Sequence, residues 1–383
     1  MKKKLAVLLP AMNMGGAEKI AINFLNDLIL EYDVSLILNK VEGPLLKDVP
    51  KEVKIIEDKL LSFKQIFKSD LKKFKIINIF KDLLYYFKVK LNIKKEKNYY
   101  YLIKRTPKLN LNFDYLIGYV ANVSTQIFCL DRLNAQKKIA WIHGETTELY
   151  DTKFFGKIYD KFNYIATVSQ KTKEHFLNRF PHLDSKTFVY YNPINKDEII
   201  NKSKENISFD KKDNLIITTV ARLTWEKGCS LIPTIASNLK KSGLSFTWYL
   251  IGNGTEKDLI SKKLEELNLL DSVILTGELS NPYPYMKNCD IYVQPSFEEG
   301  FSTTICEAGI LGCVIVGTTC SGGIYEQLES GVSGEIVDAN TTSLTNAILN
   351  LVNNKEKYNY IKQNITLVDF SHNKEINKLK NLL

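Results

Sequence analysis

Short apolar runs alternate along the chain with segments of helical periodicity. In the first half such runs predict buried strands over residues 5–9, 34–38, 115–119, 139–142 and 164–168. In the second half they predict strands over residues 215–220, 248–251, 273–275, 291–293 and 314–316. Between the first two strands, residues 17–30 carry apolar side chains at positions 20, 21, 24, 25, 28 and 29, which predicts a helix. Strands separated by helices indicate an α/β fold with two parallel, doubly wound sheets.

A polar stretch separates the two series. Pro193 ends the last apolar run of the first half, and the residues after it are rich in Lys, Asp and Asn. We therefore predict a Rossmann-like domain over residues 1–193, a linker over 194–210 and a second Rossmann-like domain over 211–368. Residues 369–383 contain an amphipathic segment, which we expect to form a helix that packs back toward the first domain.

Length and composition exclude several classes of protein. The chain has 383 residues, of which 44% are hydrophobic and 25% charged, as in globular proteins. Collagen, coiled coils and extended disorder are therefore excluded, and the length suits two domains. The six cysteines form no C-x-x-C pair, and no His follows them at zinc spacing. We interpret them as small hydrophobic residues in a reducing compartment.

The amino terminus has features of a signal peptide, because three lysines precede an apolar run. That run is short and lacks a small-residue cleavage site, so a buried first strand is the better interpretation. The longest late apolar stretch, residues 305–317, contains Glu307 and is too short to cross a bilayer. We expect a soluble or membrane-surface protein.

Glycines follow predicted strands in both halves. Gly15 and Gly16 precede the first helix, where glycine lets backbone N–H groups approach a phosphate, although a tight turn also explains the pair. Neither this pair nor Gly252-Asn-Gly254 completes the G-x-G-x-x-G motif, and no Walker lysine–serine follows. A dinucleotide or ATP site is therefore disfavoured.

Two basic residues follow the first strand of the second half. Arg222 and Lys227 stand five positions apart at the carboxyl end of that strand, where they can hold two phosphates. A solvated pair of surface charges is the alternative.

Two carboxylates stand eight positions apart later in the chain. If Ser302 begins a helix, Glu299 lies in the loop before it and Glu307 lies further along the helix. Carboxylates accept hydrogen bonds from sugar or ribose hydroxyls, and a helix N-terminus favours an anionic ligand. The alternatives are a capping residue and a solvated glutamate, although the apolar neighbours of Glu307 favour burial with a partner.

Taken in order, these motifs resemble those of the retaining glycosyltransferases of family 4, the group 1 glycosyl transferases. The motifs are Gly15-Gly16-Ala17-Glu18, Arg222…Lys227-Gly228, Gly252-Asn-Gly254, Leu275-Thr-Gly277, Gln294-Pro-Ser296 and Glu299-Gly-Phe…Glu307-Ala308. The resemblance covers nearly all of residues 211–368 and the first 30 residues, and it is weak over 40–110. It implies the GT-B architecture, in which two Rossmann-like domains face each other across a cleft.

The resemblance also implies roles for single residues. Arg222 and Lys227 would neutralise the donor diphosphate and stabilise charge on the leaving group. Glu307 would bind the ribose, Glu299 would bind a hydroxyl of the transferred sugar, and His143 would lie in the cleft near that sugar. Taken alone, a histidine after a strand is more often structural. The other donor-binding residues that the resemblance implies are Gly15, Gly16, Gly252, Gly277, Glu278, Leu279, Gly300, Phe301, Ser302 and Thr303.

The positive charge of the chain is concentrated in one segment. The net charge is +9, and residues 59–105 contain 14 basic and 3 acidic residues. Within residues 60–97, lysines are interleaved with Phe, Ile and Leu at helical spacing, which is typical of helices that bind anionic membrane surfaces. A solvated helix covering the domain is the alternative. Nucleic acid is disfavoured as a partner because no recognition motif accompanies the charge.

We therefore predict a retaining glycosyltransferase that moves a sugar from a nucleotide diphosphate donor, expected to be a UDP-sugar, to a carbohydrate acceptor. The acceptor is expected to be lipid-linked, in the assembly of bacterial surface polysaccharide or glycoconjugates. The enzyme is expected in the cytoplasm, peripheral on the inner face of the membrane. No cofactor or metal is expected, since the sequence has no Asp-x-Asp near a strand end and only four His. In a glycosyltransferase, Arg222 and Lys227 would take the place of a metal. The alternatives are a GT-B sugar-nucleotide epimerase and a non-catalytic nucleotide-sugar-binding protein.

Overall fold

The computed structural model describes residues 2–13, 15–59, 63–72, 81, 85, 101–120, 123–144, 152–207, 214–320, 322–366, 369 and 375–382. The chain divides into two compact units. The first comprises Met1–Val168, Lys173–Tyr190 and Ile376–Leu383. The second comprises Ser169–Thr172 and Tyr191–Glu375.

A parallel sheet of seven strands forms the centre of the first unit, in the order β3-β2-β1-β4-β5-β6-β7. Its strands are β1 Lys4–Leu9, β2 Asp33–Leu38, β3 Lys54–Glu57, β4 Asn112–Gly118, β5 Asn134–Ile142, β6 Tyr164–Thr167 and β7 Thr187–Val189. In β1, the residues from Leu5 to Leu9 are fully buried, as a strand covered on both faces requires. The apolar run near the amino terminus is therefore a central strand of this sheet.

The second unit contains a parallel sheet of six strands in the order β10-β9-β8-β11-β12-β13. Its strands are β8 Leu215–Val220, β9 Phe246–Ile251, β10 Val273–Gly277, β11 Ile291–Gln294, β12 Val314–Thr318 and β13 Glu335–Val337. The core of this unit joins strand residues such as Trp248 and Val293 to helix residues such as Ile235 and Leu344 in one buried cluster. Burial of these side chains holds the helices against the sheet.

Helices connect most of the strands. The α-helices whose two ends are described are α1 Gly16–Ile29, α2 Phe63–Lys72, α3 Val123–Asp131, α4 Thr152–Tyr159, α5 Gln170–Arg179, α6 Lys196–Lys202, α7 Ile232–Lys241, α8 Lys257–Glu266, α9 Tyr283–Lys287, α10 Thr303–Ile310, α11 Ile324–Gln327, α12 Thr341–Asn353, α13 Lys355–Ile365 and α14 Glu375–Leu382. Short 3-10 helices occur at Pro44–Asp48, Pro181–Lys186, Trp225–Lys227 and Cys229–Leu231.

The predicted α/β class is confirmed, and so is every predicted strand. The described residues form three further strands, namely β3, β7 and β13, which are all edge strands and only three or four residues long. A search for apolar runs misses them because strands at an edge need not be covered on both faces. Within residues 194–210, the predicted linker, α6 belongs to the second unit.

The basic segment is described only in part. In α2, Ile66 and Asp70 are buried, whereas Lys64, Lys68 and Lys72 are exposed. The buried side chains lie four positions apart and so share one face of the helix. Apart from α2 and positions 81 and 85, the predicted membrane-binding segment over residues 60–97 lies outside the described residues. Among the described helices, none combines the length and the apolar composition that a membrane span requires.

Candidate active site

The second sheet places two predicted motifs side by side. Strand β8 leads into the segment with Arg222 and Lys227, and β11 leads into the segment with Glu299. The two strands are neighbours, with β9 and β10 on one side and β12 and β13 on the other. The strand order therefore reverses between β8 and β11. In parallel α/β sheets, ligands bind at such a point, outside the carboxyl ends of the strands.

Lys227 and Glu299 meet at this edge. The Nζ atom of Lys227 lies 2.7 Å from Oε1 of Glu299, and the two side chains are 18% and 11% exposed. The backbone N–H groups of Phe297 and Glu298 donate to the carbonyl of Glu226 at 2.9 and 3.1 Å, which holds the two loops together. The ion pair is therefore supported by backbone contacts between its two loops.

Gly228 lets these loops approach each other. Its φ is +62°, and a Cβ atom there would stand 2.0 Å from the carbonyl oxygen of Pro295. A side chain at this position is disfavoured both by the backbone conformation and by the space available.

Buried polar side chains of β11 and the loop after it support Glu299. Oε1 of Glu299 accepts hydrogen bonds from Gln294 Nε2 at 3.2 Å and from Ser296 Oγ at 3.1 Å. Gln294 Nε2 also donates to Ser296 Oγ at 2.8 Å. Gln294 and Ser296 are 2% and 0% exposed. One carboxylate oxygen is thus held by a lysine and two neutral donors, which makes the contacts charge-assisted.

Arg222 is placed differently from Lys227. Its side chain is 60% exposed, and its Nη2 atom lies 3.4 Å from Oε1 of Glu226. An exposed pair of this kind is weak and easily exchanged for an external ligand. The structure thus brings Lys227 and Glu299 into contact, and it leaves the guanidinium of Arg222 at the surface.

Ser302 caps α10, as the sequence suggested. Its Oγ accepts from the backbone N–H of Ile305 at 3.4 Å. Gln327 holds the backbone of Ser302 from both sides, accepting from its N–H at 3.2 Å and donating to its carbonyl at 2.6 Å. Gln327 therefore fixes the start of the helix, whose first residue is Thr303.

The two residues before this cap are also held in place. The carbonyl of Gly300 accepts from Ser169 Oγ at 2.9 Å, and the side chain of Phe301 is buried. The loop from Glu299 to the helix is therefore anchored along its length.

Glu307 is half-buried on α10 and has a partner, as expected. Tyr283 Oη donates to Oε1 of Glu307 at 3.2 Å. Burial and the neighbouring carboxylate of Glu307 raise the pKa of the Tyr283 hydroxyl well above its usual value. The tyrosine therefore stays a hydrogen-bond donor to this carboxylate throughout the ordinary pH range.

The candidate glycines at the carboxyl ends of β9 and β10, Gly252 and Gly277, differ in their surroundings. A Cβ atom on Gly252, whose φ is +145°, would stand 1.8 Å from the carbonyl oxygen of Ala221. Gly252 N donates to the carbonyl of Gly277 at 2.8 Å. Gly277 has open space where a side chain would begin, and it is followed by Glu278, which is exposed, and Leu279, which is half-buried.

The remaining candidates belong to the first unit. Gly15 is the N-cap of α1, which begins at Gly16 and follows β1. His143 follows β5, and its Nε2 lies 2.6 Å from the carbonyl of Tyr119. Burial lowers the pKa of His143 to about 4, so the ring is neutral near pH 7. A neutral ring that donates through Nε2 keeps Nδ1 as an acceptor.

Metal-ligating residues are not clustered in the part of the chain that the structure describes. There, no group of three or more His, Cys, Asp and Glu side chains could hold a metal ion. All six cysteines are free, five of them are buried and Cys320 is half-buried. The interpretation of the cysteines as small hydrophobic residues is consistent with the burial of those five.

Several residues around the carboxylates were not predicted to belong to the site. They are Tyr292, Gln294, Ser296 and Thr304 near Glu299, Tyr283 beside Glu307, and Gln327 beside Ser302. Two signals were available. Gln294 and Ser296 belong to the Gln294-Pro-Ser296 motif of the family resemblance, and Tyr292 and Gln294 stand two positions apart in β11 and so share a face. Tyr283 and Gln327 gave no such signal, since their partners are distant in sequence.

Comparison with known proteins identifies the second unit. Residues 200–368 match the family described as Glycosyl transferases group 1. The chain is 30% identical over 181 residues to an N-acetylgalactosamine-N,N'-diacetylbacillosaminyl-diphospho-undecaprenol 4-alpha-N-acetylgalactosaminyltransferase of Campylobacter jejuni, covering 47% of this chain and 48% of that protein. It is 34% identical over 137 residues to an N,N'-diacetylbacillosaminyl-diphospho-undecaprenol alpha-1,3-N-acetylgalactosaminyltransferase of the same organism, covering 36% and 34%.

The chain therefore spans about half the length of the first relative and a third of the second. The fold matches over the whole chain. The structure of Anabaena Alr3699/HepE in complex with UDP superposes with a TM-score of 0.70 at 17% identity and covers 100% of both chains. The resemblance to the group 1 glycosyl transferases is thus confirmed over residues 200–368, and the two Rossmann-like units have the GT-B fold.

Proposed function

We propose that the chain is a retaining glycosyltransferase that transfers a sugar from a UDP-sugar to a carbohydrate acceptor. The observation that carries this proposal is the contact between Lys227 and Glu299 at the point where the second sheet reverses its order. It puts a cation suited to a diphosphate beside a carboxylate suited to sugar hydroxyls.

The side chains of the second unit have complementary roles in this proposal. Lys227 and Arg222 neutralise the diphosphate as negative charge develops on the leaving group. Glu307 accepts hydrogen bonds from the ribose and Glu299 from the transferred sugar. The remaining contacts come from residues that border the nucleotide, the sugar and the phosphates, namely Gly252, Gly277, Glu278, Leu279 and the backbone from Gly300 to Thr303.

In the reaction, the bond between the anomeric carbon and the diphosphate oxygen breaks. The acceptor oxygen forms the new bond on the same face of the sugar, and its proton passes to the departing phosphate. The resemblance to the family assigns Gly15 and Gly16 to donor binding and His143 to the catalytic residues near the transferred sugar. With a pKa lowered to about 4, His143 serves as a neutral hydrogen-bonding group near pH 7.

The proposed acceptor is a lipid-linked glycan in bacterial surface polysaccharide or glycoconjugate assembly. The two Campylobacter relatives are named for acceptors carried on undecaprenol diphosphate. The lysines exposed on α2 are suited to the anionic surface in which such an acceptor is embedded. The proposed location is therefore the cytoplasmic face of a membrane, with reversible attachment.

A panel of UDP- and GDP-sugars tests the proposal. Each donor is incubated with the protein and a bacterial lipid extract, and the mass of the lipid product is measured by mass spectrometry. A glycolipid one sugar residue heavier, with the anomeric configuration of the donor by NMR, is the expected result. Interconversion of the donor without a lipid product would identify an epimerase. Binding of UDP without turnover of any donor would identify a binding protein.

A further inference from the structure

A row of side chains extends from β11 to Glu299. Tyr292 Oη donates to Gln294 Oε1 at 2.9 Å, and Thr304 Oγ1 donates to the same oxygen at 2.9 Å. An amide whose oxygen accepts two hydrogen bonds has a fixed orientation, so its nitrogen is directed to the opposite side. On that side lie Ser296 Oγ and Glu299 Oε1.

The two carboxylate oxygens of Glu299 differ in their hydrogen bonds. Oε1 receives Lys227 Nζ, Gln294 Nε2 and Ser296 Oγ at 2.7, 3.2 and 3.1 Å. No side chain or backbone group of the described residues donates to Oε2. With Oε1 held by three groups, rotation of the carboxylate would break charge-assisted hydrogen bonds. Oε2 is thus an acceptor in a fixed position.

We infer that Gln294 is a positioning residue that sets donor-sugar specificity by fixing the direction of Oε2 of Glu299. The inference rests on the proposed function, because it assigns Oε2 to a hydroxyl of the transferred sugar. Because Oε2 is held in one position, it can accept a hydrogen bond from a sugar hydroxyl of one configuration. In the epimer this hydroxyl points in another direction, so Oε2 has no hydrogen-bond donor. Sites built in this way discriminate strongly, since the wrong substrate leaves a polar group unpaired.

Three variants of this hydrogen-bond network and one control variant test the inference. Gln294→Leu removes every hydrogen bond of the amide at similar volume. Tyr292→Phe and Thr304→Val each remove one of the two donors that orient the amide, and neither creates a large cavity. Gln126→Leu is a matched control in the first unit, because Gln126 is 1% exposed and its Nε2 donates to the carbonyl of Gly118 at 3.1 Å.

The experiment compares kcat/KM for UDP-N-acetylglucosamine with UDP-N-acetylgalactosamine, and for UDP-glucose with UDP-galactose. We expect the wild type to prefer one epimer and Gln294→Leu to reduce that preference about 10- to 100-fold. Tyr292→Phe and Thr304→Val should reduce it about 3- to 10-fold by loosening the amide. Affinity for free UDP, measured by calorimetry, should change less than about twofold, and Gln126→Leu should leave the preference unchanged.

Different failures lead to different conclusions. If both epimers lose activity equally in all three network variants, the network is merely structural and the inference is wrong. A wild type that uses both epimers equally also contradicts it. In these cases the glycosyltransferase proposal stands, because turnover is still observed. A wild type without turnover of any donor overturns the proposed function and the inference together. If Gln294→Leu does not fold, Tyr292→Phe and Thr304→Val decide the question.

Discussion

Oε1 of Glu299 lies 2.7 Å from Nζ of Lys227, although 72 positions separate the two residues in the chain. The contact exists because β8 and β11 are neighbours in the sheet and each strand ends just before one of the two loops. It joins the two halves of the proposed donor site.

Replacement of either basic residue should remove most of the activity. We expect Lys227→Ala and Arg222→Ala to lower kcat/KM about 10²- to 10³-fold, because in the proposed reaction each residue supplies a charge that stabilises the leaving diphosphate. The measurement is steady-state turnover of the best donor from the panel. Circular dichroism should show a folded protein in both cases, and Arg222 in particular is largely exposed. Near wild-type kcat/KM in either variant would contradict the assignment.

Glu307 should control binding of the nucleotide itself. We expect Glu307→Gln to weaken the affinity for free UDP by about 10-fold or more, and Tyr283→Phe to weaken it less, by loosening the carboxylate. Calorimetric titration with UDP measures both, and the exposed Tyr360→Phe is the control. Glu299→Gln should bind UDP normally and lose turnover. An unchanged UDP affinity in Glu307→Gln would rule out the ribose role.

His143 should make the stability of the protein depend on pH. Its pKa is lowered to about 4 in the folded state, compared with about 6.5 in an unfolded chain. Between these values the unfolded state binds more protons, so stability is complete above about pH 6.5 and falls as the pH drops toward 4. We expect the wild type to lose on the order of 2 kcal/mol more than His143→Gln between pH 7 and 4.

Urea unfolding at several pH values measures this difference. Glutamine can still donate to the Tyr119 carbonyl but does not titrate, so it separates the charge effect from the hydrogen bond. Parallel pH profiles for the two proteins would show that the histidine titrates normally.

A buried ion pair in the first unit should be important for stability. Arg132 and Asp58 are 2% and 3% exposed, and Arg132 Nε donates to Oδ2 of Asp58 at 3.0 Å. We expect Asp58→Ala to destabilise the protein by about 3–5 kcal/mol, because it leaves a buried charge without its partner. Lys202→Ala, at an exposed pair with Glu198, should cost less than about 0.5 kcal/mol. Similar effects of the two changes on the free energy of unfolding would contradict this expectation.

Membrane attachment should depend on charge. We expect co-sedimentation with vesicles that contain anionic lipid, weak binding to neutral vesicles, and release at high salt as the Debye length shortens from about 10 Å at 0.1 M to about 3 Å at 1 M. Replacement of Lys64, Lys68 and Lys72 by Gln should weaken binding, since all three side chains are exposed. Binding that ignores lipid charge would refute the mechanism and leave the transferase proposal intact.

For α2, this prediction rests on electrostatic attraction by the lysines alone. Ile66 is buried and therefore cannot insert into the membrane surface. The sequence pattern showed an apolar face, but a periodic pattern does not reveal whether that face contacts lipid or the protein core. Because Ile66 and Asp70 are buried, their face of α2 contacts the protein core and not lipid.

Local sequence determined the elements of this fold. Buried strands appear as apolar runs because both faces of a parallel sheet are covered, and Ser302 marked the start of α10 because its side chain accepts from a free backbone N–H. The tertiary structure alone decided which loops meet. Gln294, Tyr283 and Gln327 reach their partners across 5, 24 and 25 positions, and their hydrogen bonds depend on how strands and helices pack. Strand order is set by the burial of whole faces, which no short motif encodes. The sequence marked Gln294 and Ser296 as part of a motif, but only the folded chain showed that both donate to Glu299.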